Sequence, residues 1–142
     1  MIRAVAYEEA LVLADAMNEE MKVLYDSDEG ATPVSAEAFH PPGTFLVLDD
    51  IACGGLAVID DGIGEVKRMY VDPAHRGQGH SRTVLRALVQ HARDVGLREV
   101  WLETGAPQVA AVKLYESEGF QPIPPYGYWK DHPETLCFKL VL

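Results

Sequence analysis

Residues 69–85 read MYVDPAHRGQGHSRTVL. An apolar strand ends at Asp72-Pro73, because proline cannot donate to a strand ladder. A turn holding Gly77 and Gly79 follows. It opens a segment in which Val84, Leu85, Leu88, Val89 and Ala92 form an apolar stripe at helical spacing. Strand, glycine turn and helix in that order make an anion site. The first N–H groups of a helix lack an intrahelical acceptor, and the macrodipole adds partial positive charge there. Gly77 and Gly79 permit positive φ and close approach of a ligand. Arg76 adds a permanent cation with a planar fork of donors. Together these suit a pyrophosphate. A purely structural turn that needs glycine for tightness shares the local pattern. A P-loop is excluded, since no Gly-Lys-Ser or Gly-Lys-Thr follows. A dinucleotide fingerprint fits poorly, because the third glycine is missing and the turn lies mid-chain.

Outward from this turn, the chain reads as alternating elements. Residues 8–24 carry Leu11, Leu13, Ala14, Met17, Met21 and Leu24 near a helical period. Residues 26–43 are rich in acids and turn formers and read as a loop, with a short helical turn capped by Ser35. TFLVL and ACGGLAVI read as strands, with hairpin turns at Asp49-Asp50 and at residues 60–64. GEVKRMYV is a third strand, whose alternation puts Glu65, Lys67, Met69 and Val71 on one face. After the 80s helix, closed by Gly96, come the strand REVWLET and a helix over PQVAAVKLYESEG. Pro107 stands near the first turn of that helix and Gly119 at its end. FQPI, an aromatic loop PPYGYW and TLCFKLVL complete the order. Hairpins in the first half and strand–helix–strand units in the second predict an α/β (α+β) chain: a mixed, mostly antiparallel sheet with helices on both faces.

The 142 residues suit a single domain spanning 1–142. Hydrophobic residues at 48% are enough for a core, which excludes global disorder. Lys+Arg 12 against Asp+Glu 22 leaves a net charge of −10. That excludes sequence-independent nucleic-acid binding and argues against docking on an anionic membrane. It is compatible with a cationic substrate and equally with an ordinary solvated surface. Cys53 and Cys137 show no metal-ligand spacing, and His75 and His80 alone make no metal site, so no metal is expected. The first residues lack a signal pattern and no apolar run approaches the ~18 residues of a membrane span, so a cytoplasmic protein is expected. A homodimer through a sheet edge or the terminal strand is compatible with this pattern.

Two stretches resemble one family. Val71-Asp72-Pro73-Ala74-His75-Arg76-Gly77-Gln78-Gly79-His80-Ser81 resembles motif A of the GNAT N-acetyltransferase superfamily, V-x-P-x-x-R-G-x-G-x-G/A. WLETGAPQVAAVKLYESEGF resembles that family's later strand–helix unit, which ends in LYE-x-x-GF. Ser81 departs from the usual Gly or Ala, but it keeps its backbone N–H and adds a hydroxyl donor. Gln108 stands where many relatives carry Asn.

The resemblance implies a parallel strand pair that splays apart, acetyl-CoA as cosubstrate, and an amine acceptor that is a small molecule or a peptide. It implies that main-chain groups of Met69, Tyr70 and Val71 meet the pantetheine arm, that the amides of Arg76, Gly77, Gln78, Gly79, His80 and Ser81 take the pyrophosphate, and that Gln108 lies near the arm. An amine of Lys-like pKa, ~10.4, must lose a proton before it attacks. Glu65, read as sharing a face with Val71, is the candidate base, or else an exposed carboxylate paired with Lys67 or Arg98. Glu103 is the alternative base. Tyr115, matching the family tyrosine, is the candidate acid for the leaving thiolate, or else a core side chain. Tyr126, Tyr128 and Trp129 either wall an acceptor pocket or pack a loop. A catalytically weak acyl-CoA-binding sensor or partner module is the alternative to an enzyme.

Overall fold

The computed structural model describes residues 1–142. Its strands are β1 (Ile2–Ala4), β2 (Thr44–Leu48), β3 (Ala52–Asp60), β4 (Ile63–Val71), β5 (Glu99–Gly105), β6 (Gln121–Ile123) and β7 (Thr135–Val141). Its helices are α1 (Leu11–Leu24), α2 (His80–Asp94) and α3 (Val109–Ser117). One seven-stranded sheet runs β1-β2-β3-β4-β5-β7-β6. Only β4 and β5 are parallel; every other neighbour pair is antiparallel. This is the mixed, mostly antiparallel sheet that the alternation predicts. No helix is long and apolar enough to cross a membrane.

Helices cover both faces. On one face Val84, Leu85, Leu88 and Ala92 of α2 and Leu114 and Tyr115 of α3 pack with Leu56, Val66, Val100 and Leu102. On the other, Phe39, Phe45, Val47, Cys53 and Ala57 form a smaller cluster against Ala10. The two-residue turn at Asp49 (φ 48°) and Asp50 (φ 57°), closed by Ile51 N donating to Leu48 O, has the primed geometry whose twist matches a hairpin.

Three local expectations change. The three-residue strand β1 pairs with β2 although its sequence carries too few residues to show a period. The turn at Ala36–Phe39 forms as a 3₁₀ turn, but Ser35 makes no capping hydrogen bond. Pro107 precedes α3, whose N-cap is Gln108.

The fourth change is the largest. Cys53 opposes Tyr70 and Gly55 opposes Lys67, so β4 spends three steps where β3 spends two. This β-bulge holds Arg68 at φ 61°. The extra residue reverses the side-chain alternation beyond it. Glu65 therefore opposes Ala57 on the α1 face, whereas Val71 opposes Ala52 on the α2 face. The expected common face of Glu65 and Val71 is corrected: Glu65 shares its face with Tyr70.

A non-glycine residue in the left-handed region costs roughly 1–2 kcal/mol. The Arg68 guanidinium offsets this by donating to Thr32 O at 2.7 Å and to Tyr7 Oη at 3.3 Å. Inside a strand, Ala normally exceeds Gly in stability by about 0.5–1 kcal/mol. At this position the order reverses: Arg68→Gly and Arg68→Ala both lose the guanidinium, but only Ala retains a Cβ in the left-handed region. Urea unfolding should give Arg68→Gly the higher midpoint, and a higher midpoint for Arg68→Ala would contradict a strained bulge.

Candidate active site

β4 and β5 pair from Ile63↔Glu99 only as far as Val66↔Leu102. Beyond that, β4 continues along β3 to Val71, and β5 continues along β7 to Gly105. The strands thus part at the bulge, and a cavity of about 260 Å³ opens between them. Val66, Met69 and Tyr115 reach it from the α2 side, while Glu65 and Lys67 reach it from the α1 side.

The bulge also aims the backbone. Asp72 N donates to Ile51 O at 2.7 Å, so Asp72 faces β3. By alternation, the N–H groups of Val71 and Met69 point away from β3, into the gap that β5 has vacated. The Arg68 carbonyl accepts from Cys53 Sγ at 3.3 Å on the β3 side, which turns the Met69 N–H of the same peptide toward the gap. Cys53 itself is buried, and its thiol is pushed up to about 12 by that burial. It is a core group.

Tyr115 is buried against Phe120 and Phe138 and lines the cavity. Its hydroxyl has no protein partner, yet it is not a sealed orphan, because it opens on the cavity. Burial pushes its phenol up to about 12.

The two carboxylates differ. Glu65 is buried, not exposed; Oε1 meets Lys67 Nζ at 2.7 Å and Oε2 accepts from Tyr126 Oη at 2.5 Å. Arg98 is elsewhere, donating to Asp61 O. Burial and the neighbouring Glu65 carboxylate hold the Tyr126 phenol far above its ordinary value, so the proton stays on Tyr126. Glu103 accepts from Thr32 Oγ1 at 3.2 Å and forms no ion pair; burial raises its pKa above the ordinary carboxylate value.

At the glycine turn, Gly77 (φ 77°) and Gly79 (φ 83°) take the left-handed conformation, and no atom lies within 4 Å of where a Cβ would stand. Gly79 is the N-cap of α2. The backbone N–H groups of residues 77–82 find no acceptor in the protein. Arg76 lies beside them, but its guanidinium is engaged: Nε donates to Val71 O at 2.9 Å and Nη2 to Glu20 Oε2 at 2.6 Å. It also sits 5.5 Å over the Tyr70 ring. His80 Nε2 and Gln78 Oε1 pair at 3.2 Å, while Ser81 is the second residue of α2. Gln108 lines the cavity and donates from Nε2 to Tyr25 Oη at 3.0 Å.

Of the aromatic loop, Trp129 lines the cavity and Tyr126 holds Glu65, whereas Tyr128 is exposed outside it. Sequence reasoning missed Tyr25, Thr32 and Glu134 as lining residues. Thr32 lies in the acidic loop and Tyr25 just beyond α1, where no periodicity marks a side chain as inward.

The sequence profile described as the acetyltransferase (GNAT) family matches residues 12–120. The IAA acetyltransferase of Azospirillum brasilense is 38% identical over 90 residues. That match takes in 63% of this chain and 59% of the relative, so the chain spans about three-fifths of that protein's length. A Klebsiella pneumoniae structure assigned to the acyl-CoA N-acyltransferases is similar over 100% of this chain and 97% of its own, at 27% identity and a TM-score of 0.82. A GNAT-family acetyltransferase from Elizabethkingia anophelis, with acetyl-CoA bound, is similar in fold over 100% of this chain and 97% of its own, at 18% identity and a TM-score of 0.66.

The raised pKa of Glu103 has a signed consequence. A carboxyl whose folded value exceeds its unfolded value favours folding when protonated and opposes it when charged. Glu103→Gln mimics the neutral form and keeps an acceptor for Thr32. Its unfolding midpoint in urea should therefore exceed that of the parent at neutral pH. The gap should close as pH falls through the raised value to below the ordinary one, ~4.3. A variant less stable than the parent at neutral pH would contradict a desolvated carboxylate.

Proposed function

The chain belongs to the acetyltransferase (GNAT) family, and from that premise we propose that it transfers the acetyl group of acetyl-CoA to a primary amine by direct attack in a ternary complex. The observation that carries this reading is the unpaired edge of β4. It runs between backbone donors that have no acceptor, at residues 77–82, and a cavity where the unpartnered Tyr115 hydroxyl opens. An extended polar arm with an anionic tail fits that edge as an added strand would.

In this reading the amides from Gly77 to Ser81 hold the pyrophosphate at the start of α2, while the Arg76 amide is already turned to Pro73 O. Main-chain groups of Met69 and Val71, with Gln108, hold the arm, whereas the Tyr70 main chain faces β3 by the same alternation and takes no part. Acetyl-CoA supplies an acyl carbon activated as a thioester. The Met69 N–H, turned outward by the bulge, is the donor for charge that develops on the carbonyl oxygen.

Both oxygens of Glu65 already have partners, so its part is to orient Lys67 and Tyr126. Glu103 has the features of the base: a raised pKa, no cation bound to it and a place on the cavity wall. It takes the ammonium proton, which leaves a neutral nitrogen to attack the acyl carbon. The C–S bond then breaks, the thiolate takes the proton of Tyr115 Oη, and the phenolate recovers the proton that the nitrogen loses as the amide forms. Burial that raises the phenol to about 12 raises the basicity of a thiolate in the same cleft, so donor and acceptor stay matched.

Free-thiol release from acetyl-CoA with a panel of amines tests the reading. Tyr115→Phe should lower kcat by about 10²-fold or more with acetyl-CoA affinity unchanged in calorimetry. An unchanged kcat would remove Tyr115 from the chemistry. Tight acetyl-CoA binding with no turnover across the panel would support the binding-module alternative.

The pH profile separates the carboxylates. With Glu103 as base, kcat/KM falls as pH drops through its raised pKa. Glu103→Gln should abolish that acid limb, whereas Glu65→Gln should lower the rate and keep the limb. The opposite assignment of the limb would make Glu65 the base.

A further inference from the structure

Acetyl transfer needs one carboxylate, yet the cavity is lined by four: Glu29, Glu65, Glu103 and Glu134. Lys67 forms its ion pair with Glu65, and its charge also reaches Glu103. Arg68, the other lining cation, donates to the neutral acceptors Thr32 O and Tyr7 Oη and forms no ion pair with a carboxylate. Glu29, Glu103 and Glu134 take part in no ion pair. Glu29 and Glu134 are exposed, while Glu103 is half-buried, so two unpaired carboxylates stand at the rim and one lies deeper.

Two independent features mark this as a place for a ligand. The Tyr115 hydroxyl, on a side chain only 6% exposed, opens on the same cavity without a partner. The rim also carries aromatic rings: Tyr25 and Trp129 meet His132 edge-on at 6.2 and 6.1 Å. Carboxylates beside aromatic faces are the two groups that attract an ammonium. The volume, about 260 Å³, lies just under the ~300–1,000 Å³ typical of drug-sized ligands. With the end of the arm beside Gln108 and Tyr115, the space that remains is that of a short aliphatic chain.

A monoamine gives up its only positive charge in order to attack. It would leave the rim carboxylates as they are in the protein alone. We infer that the acceptor is a short diamine, with one nitrogen acetylated in the cleft and the other remaining an ammonium held at the rim by Glu29 and Glu134. The inference rests on the proposed acetyl transfer for the fate of the first nitrogen. The recognition of the second does not depend on it.

The test compares putrescine, butylamine and γ-aminobutyrate, which share a four-carbon chain and differ in the far group. Isothermal titration into the protein in the presence of CoA should give putrescine a Kd at least about tenfold below that of butylamine, with γ-aminobutyrate weakest. Added salt should narrow the gap, since the rim charges are exposed. The double variant Glu29→Gln/Glu134→Gln, with its fold checked by circular dichroism, should bring the putrescine-to-butylamine ratio toward one. Equal affinities, tighter γ-aminobutyrate, no detectable putrescine binding, or a lysine-containing peptide amide that outcompetes putrescine would overturn the inference. Thiol release with the same amines separates the two claims. Diamine-selective binding without release sinks acetyl transfer and leaves the diamine site. Release without selectivity does the reverse.

Discussion

The structure depends on one extra residue in β4. Arg68, at φ 61°, makes the strand advance by three residues where β3 advances by two. A bulge bends its strand and increases local twist, and β4 leaves β5 at that point, immediately after Val66↔Leu102. The cleft, the outward Met69 and Val71 amides and the separation of Glu65 from the later β4 side chains all follow. Such a conformation persists only where surrounding contacts hold it. Here the hold comes from Tyr7 before α1 and Thr32 in the acidic loop, both grasped by the Arg68 side chain. The residue that creates the strain also carries the group that offsets it. Its tether ties the turn before α1 and the loop after it to the sheet.

The same loop sets the surroundings of a carboxylate. Thr32 gives its carbonyl to Arg68 and its hydroxyl to Glu103. It therefore couples the bulge on β4 to the carboxylate on β5 across the gap. Glu65 and Glu103 occupy neighbouring strands and share one cavity, yet their surroundings are opposite. One has a cation and a phenol on its two oxygens; the other is desolvated and has only neutral donors, the Thr32 hydroxyl and the Trp129 backbone. Two carboxylates made unlike by their neighbours can divide the work of holding charge and moving a proton.

Much of this was legible in the sequence because it is written in local patterns. The glycine turn, the α2 stripe and the strand–helix alternation each rest on residues close in the chain. The outcome agrees at Gly77, Gly79 and Val84–Ala92. The strand β1 and the β4 bulge were not legible, for different physical reasons. Three residues are too few for a period, and β1 exists only because β2 offers it an edge. A bulge is a relation between two strands: GEVKRMYV alternates well, and only the register against Cys53–Gly55 shows where the alternation breaks. The same limit applies to the site. Tyr115 and Glu103 stand in recognisable segments. Tyr25, Thr32 and Glu134 reach the cavity through tertiary packing of loops and helix ends, which no spacing encodes.

At the glycine turn, backbone and side chain are placed to divide a task. Arg76 looked in the sequence like the cation of the anion site, yet it is already bound to Glu20, to Val71 O and beside Tyr70. An anion arriving there must compete with a carboxylate for the guanidinium, and that exchange of one charged partner for another yields little net energy. The amides of residues 77–82 have nothing to exchange except water. Their direction is set by two left-handed glycines and by the axis of α2, so no side-chain entropy is lost when they bind. In the proposed reading the fixed donors therefore carry the affinity for the pyrophosphate. Arg76, by holding the Val71 carbonyl, keeps the end of β4 in register with the turn that follows it.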